Sequence, residues 1–342
     1  MGQEKENHIE DKEEKWESSR KMKRGYRRYL PLFLALCLCL TVPVQGAASQ
    51  RKPKKAYTGW KTRKGKTYYL RKGKPVKGLR KIGKWYHYFD GDGRMVTGWA
   101  RVKNEYRYFG SRTGRMRTAA TIKGRRINRK GVWKPRIVLD PGHSGVVSGG
   151  VEPNGPGSLV MKAKDTYGTQ GVATGVPEYQ LNLDIAMKVR EALEKRGCQV
   201  IMVRTDHKKS YSCIQRASVA NKAKADLFLR IHANGGSSPH QSGAMTICTT
   251  RSNPYAAALY QKSKALSQAV LDAYVKETGC RREYVWETDT MTGNNWSKVP
   301  VTILEMGYMS NPGEDVRMQS PAYQKKMVRG IVNGIEDYLL GK

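Results

Sequence analysis

Two histidines and a glutamate stand at the ends of three apolar runs in the second half of this 342-residue chain. Ile137-Val138-Leu139-Asp140 leads through Pro141-Gly142 to His143, Leu227-Phe228-Leu229-Arg230-Ile231 ends at His232, and Val301-Thr302-Ile303-Leu304 ends at Glu305. Short β-branched runs of this kind read as strands buried on both faces, the habit of a parallel sheet. Open α/β sheets bind their ligands beyond the carboxyl ends of the strands. Two imidazoles and a carboxylate delivered to that one edge have the look of a zinc hydrolase site. Singly these residues say less. A histidine after a Pro-Gly turn is ordinarily a solvated loop residue, His232 alone reads as a hydrogen-bonded core group, and a glutamate opening a helix, such as Glu178, answers the helix dipole.

The elements that must carry these groups follow from the periodicity. Glu178 to Lys195 places Leu181, Ile185, Val189 and Leu193 on one helical face and stops at Gly197. Gln199–Val203 reads as a strand ending at Arg204, Ser212–Ala225 as a helix, Gly243–Cys248 as a strand, and Pro254–Glu277 and Pro321–Leu340 as helices. Strand–helix alternation over residues 136–342 predicts an α/β domain, an open and mostly parallel sheet with helices on both faces.

The first half differs in kind. Residues 51–134 carry 28 Lys/Arg against three acids, a net +25, whereas residues 136–342 carry only +7. A field of that sign draws polyanions and is weakened by salt. From Tyr57 to Trp133 the chain repeats: Gly59-Trp60, Gly78-Leu79 and Gly98-Trp99 recur at spacings of 19 and 20, with aromatic runs and Gly-rich turns between them. Such units are hairpins, too small to bury an apolar face alone, and predict an all-β hairpin-repeat solenoid over residues 56–133. Residues 1–48 place Lys21, Lys23, Arg24, Arg27 and Arg28 before an apolar run, Leu30–Val44, and a small-residue exit at Gly46-Ala47-Ala48. That order predicts a cytoplasmic tail with a signal peptide, or alternatively an uncleaved membrane anchor, followed by a basic linker over 49–55. Either way the protein faces the outside of a cell, which makes nucleic acid a poor partner and the membrane a partner only if the segment is an anchor. Cys198, Cys213, Cys248 and Cys280 show no CxxC spacing, and Cys198 and Cys248 fall in apolar runs as buried free thiols.

The repeats resemble the cell-wall-binding repeats of bacterial surface proteins, a group that includes choline-binding modules. That resemblance nominates Trp60, Trp85, Tyr86, Trp99 and Tyr106 as wall-binding residues. Incomplete cages, with Leu79 and Ala119 at the tryptophan position, and the +25 charge favour an anionic wall polymer such as teichoic acid over choline.

Residues 136–342 resemble the zinc-dependent N-acetylmuramoyl-L-alanine amidases of the amidase-3 type. The marks are Ile137 to His143, Glu178 with Leu181-Asn182-Leu183, Arg204, Arg216 with Ala220-Asn221, Ala225-Asp226-Leu227, Ile231 to Asn234, and Glu305 to Asn311. The resemblance implies that His143, Glu178 and His232 hold Zn²⁺, that Glu305 is the catalytic acid/base, and that the substrate is peptidoglycan, cut between N-acetylmuramic acid and L-alanine. Arg204 and Asn234 are expected to sit behind the ligands or against substrate, and Asp140 to serve the turn. His87, His207 and His240 match no ligand position and are expected at the surface. The Gly-rich interval between His143 and Glu178 is expected to form a flap lining the substrate, and Trp286–Lys298 to contact glycan or stem peptide. A non-catalytic wall-binding scaffold and a zinc peptidase cutting another amide of the same polymer are the competing readings.

Overall fold

The computed structural model describes residues 56–342. The predicted signal or anchor (1–48) and the basic linker (49–55) lie outside the described residues.

Four antiparallel hairpins occupy the first part: β1 (Gly59–Arg63) with β2 (Lys66–Arg71), β4 (Gly78–Ile82) with β5 (Trp85–Phe89), β6 (Gly98–Val102) with β7 (Glu105–Phe109), and β8 (Ala120–Ile122) with β9 (Arg125–Ile127). A short β3 (Lys74–Pro75) extends the first pair. The β1–β2 turn is Lys64-Gly65, both with positive φ, as a two-residue turn matched to strand twist requires. The connector after each hairpin docks on the hairpin before it: Met95 N–H donates to the Thr67 carbonyl (2.7 Å) and Met116 N–H to that of Tyr86 (2.8 Å). Trp133 N–H continues the series with the Tyr106 carbonyl (2.9 Å).

The second part is built on a six-stranded sheet. Its strands are β10 (Arg136–Pro141), β13 (Gln199–Met202), β14 (Leu227–Asn234), β15 (Ala244–Cys248), β16 (Arg282–Glu287) and β17 (Val301–Tyr308), in the order β13-β10-β14-β17-β15-β16. Only β15 and β17 run antiparallel, so the sheet is mixed. Helices α1 (Glu178–Lys195), α3 (Tyr260–Thr278) and α6 (Pro321–Leu340) cover one face, and α2 (Cys213–Ala223) and the short α4 (Thr292–Asn295) the other. Strand residues alternate accordingly: Ile137, Leu139, Leu227 and Leu229 pack toward the α1 side, Val138, Phe228 and Val301 toward α2. The bounds of α1 and α6 match the periodicity. The helix expected from Pro254 begins only at Tyr260, after a 3₁₀ turn. The stretch between His143 and Glu178 contains a small hairpin, β11 (Val151–Pro153) with β12 (Met161–Ala163), and α5 (Pro312–Gln319) follows β17.

The two parts share one core. Tyr106, Ile127 and Trp133 are buried in the same cluster as Leu193, Cys198, Ile335 and Leu339. Arg101 Nε donates to Glu336 at 2.6 Å, and the Cys198 thiol to the Tyr106 hydroxyl at 3.6 Å. This corrects the expectation for Tyr106: with no exposed surface, it packs against α1 and α6 and has none to offer a wall polymer. Trp99 is half-buried at the same contact, while Trp60, Trp85 and Tyr86 are exposed. His87 also departs from expectation, because it faces inward, 4% exposed, with its ring 4.9 Å from that of Trp60. The cysteines Cys198, Cys213, Cys248 and Cys280 are free.

Candidate metal centre

His143 follows β10 at φ 59°, a left-handed backbone that a non-glycine residue adopts at a cost. The loop is held there by arginines. Arg204 donates to the carbonyls of Pro141 (3.0 Å), Gly142 (2.8 Å) and Tyr179 (2.8 Å). Arg216 donates to the carbonyls of Pro141 (2.9 Å) and His143 (3.0 Å) and to Asp140 (2.6 Å). Arg204 is 3% exposed, so its guanidinium is committed to backbone rather than to substrate. Asp140 serves no turn either. It is fully buried and accepts from Arg216 and from Arg230 Nε (2.9 Å), and although burial alone raises its pKa, the two guanidinium charges hold it well below the usual carboxylate range.

Glu178 opens α1 and projects between the histidines. Its Oε2 lies 3.3 Å from His143 Nε2, and its Oε1 lies 3.1 Å from His232 Nδ1. Asn182 Nδ2 (3.0 Å), Ala233 N–H (3.2 Å) and Thr169 N–H (3.0 Å) also donate to this carboxylate. Burial opposes its charge, but the bonds to His143 and His232 prevail and keep it ionised. His232 is pushed down to about 4, first by burial, and is therefore neutral. Glycine is needed at two close approaches. A Cβ at Gly142 would lie 2.2 Å from the His232 ring, and one at Gly168 (φ +81°) 2.4 Å from Glu178 Oε2.

Ligand atoms of His143, Glu178 and His232 all lie within 4.8 Å of one another, a group that could hold a metal ion. Its chemistry fits one. His143 Nδ1 lies 2.9 Å from both the carbonyl and the hydroxyl of Thr166, which hold the ring with Nε2 3.3 Å from Glu178 Oε2. His232 Nε2 is buried with no hydrogen-bond partner among the described residues, while its Nδ1 faces Glu178, so the neutral ring holds an open lone pair where a cation would sit. The set of two imidazoles and one carboxylate is that of a catalytic zinc site.

Glu305 lies on β17 opposite His232 on β14, in register. Its Oε2 is buried without a partner, and its pKa is pushed up to about 8 by burial and then by the charge of Glu178, against the pull of Arg230. Asn234, two residues beyond His232, is half-buried, and its side-chain amide makes no hydrogen bond among the described residues. Asn182 stands among the marks of the resemblance, but its bond to Glu178 and the roles of Thr166, Gly168 and Arg230 emerge only from the fold. Arg230 had a signal, as a lone cation inside an apolar strand.

A family model described as N-acetylmuramoyl-L-alanine amidase matches residues 137–337, which include all four groups. The chain belongs to that family. Residues 137–337 are thus the catalytic part of a peptidoglycan amidase, and a choline-binding repeat model matches residues 76–120. The N-acetylmuramoyl-L-alanine amidase LytC of Bacillus subtilis is 28% identical over 202 residues, 59% of this chain but 35% of LytC, so the chain spans about a third of that relative. The germination-specific amidase of the same organism is 26% identical over 234 residues, covering 61% of this chain and 85% of its own. Among solved structures, the amidase Ami1 of Mycobacterium smegmatis superposes with a TM-score of 0.55 at 28% identity, covering 61% of this chain and 98% of its own.

Proposed function

We propose that this amidase hydrolyses the amide between the lactyl group of N-acetylmuramic acid and the first L-alanine of the stem peptide, with His143, Glu178 and His232 holding Zn²⁺. The observation that carries the reading is the meeting of those three side chains with Glu305 on the adjacent strand, inside the family-matched segment. Bound zinc supplies Lewis-acid activation of water and of the amide carbonyl.

The chain's own residues do the rest. Glu305 takes the proton of the attacking water and returns it to the departing alanine nitrogen. Burial and Glu178 raise its affinity for a proton, which suits a group that must both accept and donate. Arg204 and Arg216 fix the His143 loop, and Asn182 and Thr169 fix the Glu178 carboxylate, so the ligands are oriented before substrate arrives. Asn234, whose side-chain amide makes no hydrogen bond among the described residues, is the group proposed to hydrogen-bond substrate.

The repeats hold the enzyme on the wall and raise the local concentration of substrate. Their hairpins, each docked on its predecessor, form a short solenoid that binds an anionic wall polymer, and the whole protein is secreted or held at the cell surface. Among the described residues no helix is long and apolar enough to cross a membrane.

Metal binding tests the site apart from turnover. Zinc titration of the full chain should show one tight site that His143→Ala or His232→Ala abolishes, while Glu305→Gln binds zinc normally and turns over at least about a hundredfold more slowly. Unchanged zinc affinity in both histidine variants would remove the assigned ligands.

A further inference from the structure

The aromatic stations of the repeats differ in what stands over them. Arg125 lies 5.4 Å from the Trp99 ring and 4.4 Å from the Trp133 ring, and its Nη1 donates to the Leu339 carbonyl at 2.5 Å. Trp99 also meets Tyr108 (5.2 Å) and Trp133 (4.7 Å). This is a cation cage filled by the chain's own guanidinium, which is tied in turn to the end of α6. A quaternary ammonium requires that position empty.

On the second hairpin, Arg115 lies 5.0 Å over the Trp85 ring and Lys84 5.6 Å from it. Neither cation forms a salt bridge among the described residues. Trp85 is 39% exposed, so its indole and both charges remain open to solvent. His87 shares the Trp85 face of β5, two residues along, and its Nδ1 is buried with no hydrogen-bond partner. Its ring packs on that of Trp60, which is itself 41% exposed. Two exposed indoles and two exposed cations without salt bridges stand on these hairpins, with the buried His87 ring packed against Trp60.

We propose that Trp60, Lys84, Trp85 and Arg115 form a binding site for an anionic glycan, a sugar polymer bearing phosphodiester or carboxylate groups, and that the repeats do not take choline. The indoles bury the apolar face of a sugar ring. Arg115 and Lys84 meet the anion with charge-assisted hydrogen bonds, a contact a cationic ligand cannot share. Cations already seated on the indoles repel a trimethylammonium group, so charge decides between the two ligand classes. The inference rests on the reading that the repeats target the wall, and it fixes the place and chemistry of that contact.

The test is equilibrium binding of the full chain to a purified glycerol-phosphate teichoic acid and to polygalacturonate, with choline as competitor. Trp85→Ala and Arg115→Ala are compared with Arg126→Ala, which removes an exposed charge elsewhere on the repeats. Melting temperature and hydrolysis of a soluble muropeptide serve as controls for folding. Trp85→Ala and Arg115→Ala should each weaken binding by about tenfold, the scale of one such contact, and Arg126→Ala by less than about twofold. The preferred polymer identifies the anion as phosphate or carboxylate. Equal losses in all three variants would reduce the binding to diffuse charge and overturn the site while leaving wall targeting intact. Displacement by choline would overturn the ligand class. Binding to neither polymer, with whole walls still bound, would overturn the proposal alone; loss of wall binding in the wild type would overturn the targeting reading beneath it.

Discussion

At the scale of single residues, the centre is a set of electron pairs held in place by buried charge. Asp140 is the hub of that support, bound by Arg216 from α2 and Arg230 from β14. Its folded pKa is depressed, so it contributes stability that is present above the unfolded value of about 4 and is lost as pH falls through the folded one. Asp140→Asn should therefore destabilise the protein by about 3–5 kcal/mol at pH 7, because it leaves two guanidinium groups uncompensated. The difference from wild type should shrink in acid, and urea melts at several pH values would show it. A flat difference down to pH 2 would contradict the assignment. His143, His232 and Glu305 were legible because each stands at or just beyond the end of an apolar run, although β14 continues to Asn234 and β17 to Tyr308. The role of Asp140 was not, since its partners come from elements far apart in sequence and only the fold brings them together.

At the scale of elements, the periodic pieces were the legible ones. The α1 and α6 patterns carry enough turns for apolar spacing to fix both ends, whereas α4, four residues long, and the β11–β12 hairpin have no periodicity to read. The interval expected to be a flap is anchored. Trp296 Nε1 donates to the Pro153 carbonyl (2.9 Å), Asn154 Nδ2 donates to that of Asp289 (2.9 Å), and Gly168 and Thr169 close on Glu178. Repeat strands were legible too, but the side on which each aromatic points was not. Tyr106→Ala should cost about 3–5 kcal/mol, as loss of a fully buried aromatic does, and Trp60→Ala, exposed on the first hairpin, less than about 1.5 kcal/mol. Chemical denaturation of the two variants would decide it. Equal costs would contradict the shared core.

At the scale of the molecule, the described residues pack as a single unit, although composition divides sharply near Pro135. Charge and repeat period reveal a change of architecture, but they carry no information on whether the two architectures share a core. Tyr106, Trp133, Arg101 and Arg125 make that connection. A chain cut to residues 136–342 would expose Leu193, Cys198 and Leu339, and its melting temperature should fall by several degrees relative to the full chain. An unchanged melting temperature would show that the contact contributes little. This packing joins the hairpin repeats to the amidase domain. The most direct test of the proposed cleavage is mass spectrometry of purified peptidoglycan digested with the full chain, with and without chelator and restored zinc, beside Glu305→Gln. Free stem peptides beginning at L-alanine, formed only with metal and with Glu305 intact, are the predicted result. Peptides cut at another amide, or the same products from Glu305→Gln, would contradict it.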